Sequence, residues 1–384
     1  MAKFKILVVG AGPVGATFAL LAHARGMAVA LIDARDGPSA ETRSLALSHG
    51  SRVLIERAGA WRTDLAPAEI HSIHTTQQGA FGRVWLSRED ANVPALGYVV
   101  AYCALQSALD SALTEAGIAV TYGARVEGIT PIDPASEHAD IQYTVGGEPI
   151  SAQAEMLVLA DGGANLDKLP TITTTEKDYG QSAMLATMQT DKPHQNIAYE
   201  RFTPDGPLAL LPYQSENEYA MVWVAQHAHI QSLMAVGEAE VREQFQHHFG
   251  DRAGRFVSMT KRRSYPLRLR QASARVAGRV AIIGNAAQAM HPVAGQGFNL
   301  GLRDAQTLAA LLGEQPVAAV LSCYDAVRQV DVSRGVGFTD LLASVFLADA
   351  ATLRLPRGLA MAAVDMLPFA RRMLARRMLF GVRT

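Results

Sequence analysis

Three glycines near the start of the chain have the spacing of a phosphate-binding turn. Gly10, Gly12 and Gly15 follow the apolar residues 4–9, which predict a buried strand, and lead into residues 13–25, which predict a helix. In such a turn the first glycine bends the chain, the second lets a pyrophosphate approach the backbone, and the third lets the helix pack closely. The helix N-terminus adds free N–H groups and partial positive charge. The pattern predicts a dinucleotide-binding βαβ unit.

An acidic residue follows at the position that contacts the ribose in such units. Asp33 ends the second predicted strand, at close to the spacing of about 20 residues after Gly10 that such units show. A carboxylate at this position can accept hydrogen bonds from both ribose hydroxyls. Ala34, which follows it, and Pro13 and Val14 in the glycine turn are expected to line the same site. These residues alone do not separate FAD from NAD.

A second glycine-containing loop lies far along the chain, over residues 284–304. It follows an apolar strand pattern and leads into residues 298–313, which predict a helix. Gly295 and Gly297 would let a flat ring approach the main chain. The helix N-terminus would stabilise negative charge on the pyrimidine edge of a reduced flavin. This second segment favours FAD.

The second loop and a shorter segment before it resemble those of a known family. Residues 284–304, GNAAQAMHPVAGQGFNLGLRD, are similar to the flavin-binding loop of class A flavin monooxygenases, the para-hydroxybenzoate hydroxylase type. Residues 159–163, LADGG, resemble that family's Asp-Gly motif. The family usually has Asp where this chain has Asn285, whose carbonyl can accept the same hydrogen bond without charge, so FAD binding is expected to persist. The resemblance implies FAD contacts by Arg43, Gln106, Val126, Asp161, Gly162, Gly284, Asn285, Pro292, Gly295, Gln296, Gly297, Phe298 and Asn299.

Within the family, the GNAAQ form of the loop is similar to the ubiquinone-biosynthesis hydroxylases, in particular the group acting on 2-polyprenyl-6-methoxyphenol-type precursors. The likeness implies an FAD-dependent aromatic-ring hydroxylase. In this family NAD(P)H reduces the flavin, and oxygen then gives a C4a-hydroperoxyflavin that attacks the ring, here a polyprenyl (methoxy)phenol. Two alternatives stay open. One is a class A hydroxylase of a small phenolic compound, and the other is a non-catalytic flavin-binding scaffold of a biosynthetic complex.

The catalytic base is less clearly marked. His291 precedes Pro292 in the second loop, so its ring is a candidate for the substrate side of the flavin. The alternative is a histidine that fixes the loop through backbone hydrogen bonds. Tyr213, in the predicted substrate domain, could hydrogen-bond a phenol oxygen, although a tyrosine in a sheet more often serves packing.

Composition limits the other classes of function. The formal net charge of −1 gives no general attraction to nucleic acid. The cysteines, Cys103 and Cys323, stand in no metal-binding pattern, so no metal site is expected.

The predicted fold is mixed α/β (α+β), a Rossmann-type FAD-binding domain with an inserted β-sheet substrate domain and a helical C-terminal tail. The predicted ranges are 1–72, 100–174 and 269–335 for the FAD-binding domain, 73–99 and 175–268 for the substrate domain, and 336–384 for the tail.

The tail is basic and apolar. From residue 354 onward it holds seven arginines and one acid, Asp365, among Met, Leu and Phe side chains. On a helix, Leu367, Leu374 and Met378 would share one side, bordered by Arg371. A basic amphipathic segment can lie on an anionic membrane; an ordinary packed helix and a docking helix for a biosynthetic partner are the alternatives. No membrane-spanning helix is expected, and the predicted location is cytoplasmic, with the inner face of the cell membrane as one interpretation.

Overall fold

A computed structural model describes residues 2–39, 41–79, 81–130, 136–289, 296–329 and 351–381. The strands are β1 Ala2–Val9, β2 Val29–Ile32, β3 Ser44–Ser48, β4 Ala68–Ile70, β5 Ser72–Gln77, β6 Arg83–Ser87, β7 Gly97–Ala101, β8 Ala119–Thr121, β9 Ala124–Ile129, β10 Ala139–Val145, β11 Glu148–Leu159, β12 Thr174–Thr190, β13 Ile197–Thr203, β14 Gly206–Pro212, β15 Glu218–Gln226, β16 Phe256–Met259, β17 Arg263–Ala272, β18 Val276–Ala277, β19 Val280–Ile282 and β20 Gln288–Ala289. The helices are α1 Pro13–His23, α2 His49–Arg57, α3 Arg88–Ala91, α4 Tyr102–Glu115, α5 His227–Ala235, α6 Glu238–Phe249, α7 Gln296–Leu311 and two C-terminal helices, Ala351–Met366 and Pro368–Phe380.

The first sheet carries the nucleotide-binding unit. Its strands β19, β11, β1, β2 and β8 run parallel in that order. One apolar core lies between this sheet and α1, α4 and α7, and a second lies against the β9–β10 hairpin. Parallel strands covered on both faces read as continuous apolar runs, which is why the β1 and β19 segments could be recognised. The predicted Rossmann-type fold is confirmed.

The second sheet has nine strands and is antiparallel except where β13 runs parallel to β5. It draws its strands from residues 72–87, 174–272 and 288–289. Helices α5 and α6 cover one face, and Trp223, Phe245 and Phe249 are fully buried between them and the sheet. Those helices were not predicted, because the short β-like segments around them dominated the pattern. A third sheet, β3–β7–β4, connects the two larger ones.

The C-terminal helices pack back onto the molecule. Met361, Ala375 and Leu379 are buried in a cluster with residues of β4 and β6. The predicted stripe through Leu367 is wrong in one respect, because that residue lies between the two helices and is exposed. Pro368 begins the second helix, and the residue before a proline is disfavoured in helical geometry. Among the described helices, none has the length and apolar character needed to cross a membrane.

Candidate functional site

The three glycines of the first turn have three different surroundings. Gly10 has φ +99°, and a Cβ there would lie 2.7 Å from the carbonyl oxygen of Ala160 at the end of β11. A Cβ on Gly15 would overlap the carbonyl oxygen of Gly10. A Cβ on Gly12 would meet nothing within 4 Å. Two glycines therefore close the strand–helix turn, while Gly12 leaves open the side from which a pyrophosphate would approach.

Asp33 holds this turn in place. Its Oδ2 accepts a hydrogen bond from the backbone N–H of Ala11 at 2.5 Å. Its Oδ1 accepts from the backbone N–H of Arg35 at 2.7 Å and from the Nε of the same residue at 3.1 Å. Since an ionised carboxylate has about four acceptor positions, these three bonds leave about one position for a ribose hydroxyl. Ala34 is exposed beside it, and Pro13 and Val14 begin α1.

Two buried polar atoms beside the turn have no hydrogen-bond partner among the described residues. They are Nη1 of Arg35 and Oε1 of Gln106. The other ends of these side chains are fixed: Gln106 Nε2 donates to the carbonyl of Ala11 at 2.9 Å and to Asp110 at 2.7 Å, and Arg35 Nη2 donates to the same carbonyl at 3.1 Å. Because buried polar atoms are normally paired, a donor and an acceptor left beside an open glycine fit a bound nucleotide. Arg35 was not predicted; its one sequence signal is the position two residues after Asp33.

The Asp-Gly motif forms a second turn at the end of β11. Asp161 accepts hydrogen bonds from the backbone N–H groups of Gly163 at 2.8 Å and Asn165 at 2.9 Å. Gly162 has φ +71°, a left-handed conformation that favours glycine. Arg270 of β17 donates to the carbonyl of Gly162 and lies 3.5 Å from that of Asn285. This arginine joins the two predicted cofactor segments, and no sequence pattern distinguished it.

The second flavin segment, which begins at Gly284, packs directly on the start of α1. Gly284 has φ +65°, and a Cβ there would lie 3.1 Å from Cγ1 of Val14 in α1. A Cβ on Gly301 of α7 would lie 3.0 Å from the Cα of Gly284. Small residues at these positions let the turn, α1 and α7 meet closely. Asn285 is exposed at the turn.

A buried ionic network fixes the start of this segment. Asp304 Oδ1 pairs with Nε of Arg328 at 2.7 Å, and its Oδ2 accepts from the backbone N–H of Gly284 at 3.0 Å and from Gln288 at 3.2 Å. Nη2 of Arg275 donates to the side-chain amide oxygen, Oε1, of Gln288. Burial raises the pKa of Asp304, while Arg328 and Arg275 oppose that rise. The Gln of the GNAAQ motif thus has a structural task that its motif position did not reveal.

The start of α7 is tied to β3 by Asn299. Its Nδ2 donates to the carbonyl of Ala46 at 3.1 Å, and its Oδ1 accepts from the backbone N–H of Ser48 at 2.8 Å. Phe298 packs against the apolar core, and a Cβ on Gly297 would meet nothing within 4 Å. Gln296 begins α7. His291, Pro292 and Gly295 lie outside the described residues.

The remaining predicted residues lie around these turns. Arg43 pairs with Glu41 at 3.0 Å, and its guanidinium carbon lies 4.9 Å from the ring centre of Tyr102 at the start of α4. Val126 is buried in β9. The start of that strand is bonded to the first turn, because the N–H of Ala124 donates to the carbonyl of Asp33 at 2.9 Å.

Tyr213 is buried in the cluster that the C-terminal helices form with β4 and β6. Burial, with Glu218 and Cys103 as lesser contributors, raises the pKa of its hydroxyl. The phenol group therefore stays protonated near neutral pH and is suited to donating a hydrogen bond, not to accepting a proton.

Comparison with known proteins agrees with this geometry. Residues 3–335 match the family model described as FAD binding domain. The chain is 32% identical to 3-demethoxyubiquinol 3-hydroxylase of Escherichia coli, over 94% of both chains. It is 31% identical to ubiquinone hydroxylase UbiL of Rhodospirillum rubrum, over 94% of this chain and 86% of that one.

Among solved structures, p-nitrophenol 4-monooxygenase of Pseudomonas putida superposes with a TM-score of 0.80 at 17% identity, over the full length of both chains. That likeness concerns the fold. The glycine turn, the second flavin segment and the sequence matches lead to the same result: this chain belongs to the family of FAD-dependent monooxygenases of which the ubiquinone hydroxylases are members.

Proposed function

We propose that the protein hydroxylates the ring of a polyprenyl (methoxy)phenol in ubiquinone biosynthesis, using O2 and NAD(P)H. The observation that carries this proposal is the match to 3-demethoxyubiquinol 3-hydroxylase, which covers 94% of both chains and so includes the nine-stranded sheet as well as the nucleotide turn. The described geometry supports it, because open glycines and orphaned polar atoms lie together at the cofactor segments.

In this proposal the chain's residues bind and orient the cofactor. Gly12 admits the pyrophosphate, while Asp33, Arg35 and Gln106 hold the adenosine side. The segment from Gly284 and the start of α7 would hold the flavin ring. When bound, FAD supplies the oxygen-transfer chemistry, and the protein supplies position and exclusion of water.

The substrate would lie between the second sheet and the flavin segment. We assign the nine-stranded sheet to the substrate domain, with Tyr213 donating a hydrogen bond to a phenol oxygen and His291 and Pro292 on the substrate side of the flavin. The chain has no second Gly-x-Gly-x-x-Gly turn of the kind at Gly10, which suits a reductant that binds transiently over the same groove. A lipid substrate also places the working enzyme at a membrane surface, and we include peripheral contact with the inner face of the cell membrane in the proposal.

The test is anaerobic reduction of the purified, FAD-loaded protein by NADPH or NADH, followed by admission of oxygen. It is run with a short-chain prenyl methoxyphenol, with p-nitrophenol, and with no phenol. We expect the prenyl phenol to accelerate flavin bleaching and to be recovered as hydroxylated product.

Three other results would overturn the proposal in different ways. Acceleration by the small phenol alone would indicate a hydroxylase of small phenols. Bound flavin with no turnover of either phenol would indicate a scaffold. Failure to retain FAD would remove the site itself.

A further inference from the structure

The outward side of the C-terminal helices is unusually apolar. At the bend between the helices, Met366 is 79% exposed, Phe369 78%, and Leu367 and Met373 57% each. Contiguous exposed apolar side chains mark a contact surface for a protein or a membrane. We call these four residues the apolar bend.

Within the C-terminal helices, the exposed charges beside the apolar bend have one sign. Arg372 and Arg376 are exposed there. The one acid of the tail, Asp365, is turned towards the body, where its Oδ1 accepts a hydrogen bond from the backbone N–H of Trp85 at 2.8 Å. Over positions 358–381, every exposed side chain is therefore apolar or basic.

The arginine that borders the stripe in sequence does not interrupt it. Arg371 is turned inward: its Nε lies 3.2 Å from Asp90 Oδ1, and its Nη1 donates to the carbonyl of Asp365 at 2.6 Å. One basic residue thus fastens the helix while its neighbour Arg372 stays in solvent. The inward side of the helix binds the body of the protein, and the outward side is exposed to solvent.

The helices on both sides of the apolar bend are held by contacts with the rest of the molecule. The helices' own core contacts are made by Met361, Ala375 and Leu379, so the four residues of the bend are not needed for that packing. Gly358, in the first of the two helices, lies so close to the backbone of Phe81 that a Cβ on it would be 2.6 Å from the carbonyl oxygen of Phe81. Ser48 Oγ donates to the carbonyl of Leu379 at 3.1 Å.

We propose that the apolar bend docks on an anionic lipid bilayer, with Met366, Leu367, Phe369 and Met373 among the acyl chains and Arg372 and Arg376 against lipid phosphates. Apolar side chains flanked by arginines are suited to the headgroup boundary. A second copy of the same face would bring like charges together, which argues against self-association. The inference rests on the proposed function in one respect, since a polyprenyl phenol would be delivered from that bilayer.

The test is co-sedimentation of the full-length FAD-loaded protein with vesicles, without substrate. One set of vesicles is phosphatidylcholine, and the other contains about one third phosphatidylglycerol. We expect binding to the anionic vesicles. Phe369→Ser should lower the partition coefficient by roughly tenfold, and Arg372→Gln with Arg376→Gln should lower it by about 25-fold.

The controls are matched by exposure. Val257→Ser removes an exposed apolar residue of β16, and Arg57→Gln removes an exposed arginine of α2, and both should bind like the parent protein. Binding that is absent, indifferent to phosphatidylglycerol or unchanged by the Phe369 and arginine variants would overturn the inference. A dimer in solution that Phe369→Ser dissociates would do the same.

Hydroxylation of a water-dispersed short-chain prenyl phenol separates this inference from the proposed function. Hydroxylation of that phenol by a protein that does not bind vesicles would reject the docking surface and leave the proposed function unaffected. Vesicle binding without hydroxylation removes the proposed reaction and leaves the surface standing.

Discussion

Asp304 and Arg328 form an ion pair whose atoms lie 2.7 Å apart and whose side chains are 0% and 1% exposed. Asp304→Asn would remove the carboxylate charge that interacts with two buried arginines, Arg328 and Arg275. Breaking such a pair from one side costs about 3–5 kcal/mol. We expect the free energy of unfolding, measured by urea denaturation, to fall by that amount and FAD affinity to fall with it. Asp205→Asn, at an exposed turn, is the control; equal stability of the two variants would show that the network does not anchor the flavin segment.

The glycines of the first turn allow binding and folding to be separated. Gly12→Ala places a methyl group where no atom lies within 4 Å, so the apoprotein should keep its stability while FAD affinity falls at least tenfold. Gly15→Ala would collide with the carbonyl of Gly10 and should lower both quantities. The measurements are apoprotein melting and flavin fluorescence titration. Full FAD retention in Gly12→Ala would place the pyrophosphate elsewhere.

The surroundings of His74 predict that the stability of the fold depends on pH. Burial lowers its pKa below the ordinary 6.5, and the nearby Arg252, Arg83 and Arg201 add to that, against Asp365. A lowered folded-state pKa contributes stability above pH 6.5 that is lost as pH falls towards the folded pKa, by at most about 1.4 kcal/mol per pH unit.

We therefore expect His74→Phe, which keeps the ring contacts with Trp85 and Tyr199, to shrink the loss of unfolding free energy between about pH 7.5 and about pH 5.5. His23→Gln, at an exposed site, should leave that loss unchanged. The same loss in His74→Phe as in the parent would contradict the assignment.

Ser48 caps α2 and fastens the chain's last helix. Its Oγ accepts from the backbone N–H of Ser51 at 3.2 Å and donates to the carbonyl of Leu379. Ser48→Ala should cost about 1 kcal/mol of unfolding free energy and speed proteolytic removal of the terminal helix. Ser107→Ala, on the exposed side of α4, supplies the comparison. Terminal cleavage at the parent rate would show that the hydroxyl does not retain the helix.

The sequence was most informative where structure is local. Gly10, Gly12, Gly15 and Asp33 lie within one βαβ unit, so their spacing alone predicted the turn that the structure shows. The parallel strands were predictable for a similar reason, because burial on both faces leaves an uninterrupted apolar run.

The missed residues act across long separations. Arg270 meets a carbonyl 108 residues away, and Arg371 pairs with an aspartate 281 residues away. A single arginine in a strand or helix carries no local mark of its partner. Arg275 and Arg328 were missed for the same reason. Both arginines interact with the buried Asp304, and only tertiary packing brings that acid close to them.

Ser48 lies between two parts of the molecule that the chain separates widely. Its backbone N–H binds Asn299 at the start of α7, and its hydroxyl binds Leu379 in the terminal helix. Whatever ligand stabilises one of these contacts lowers the entropy that must be lost in forming the other. By thermodynamic linkage the effect is reciprocal. If binding to a lipid surface raises the protein's affinity for flavin, then binding of flavin raises its affinity for the surface by the same factor.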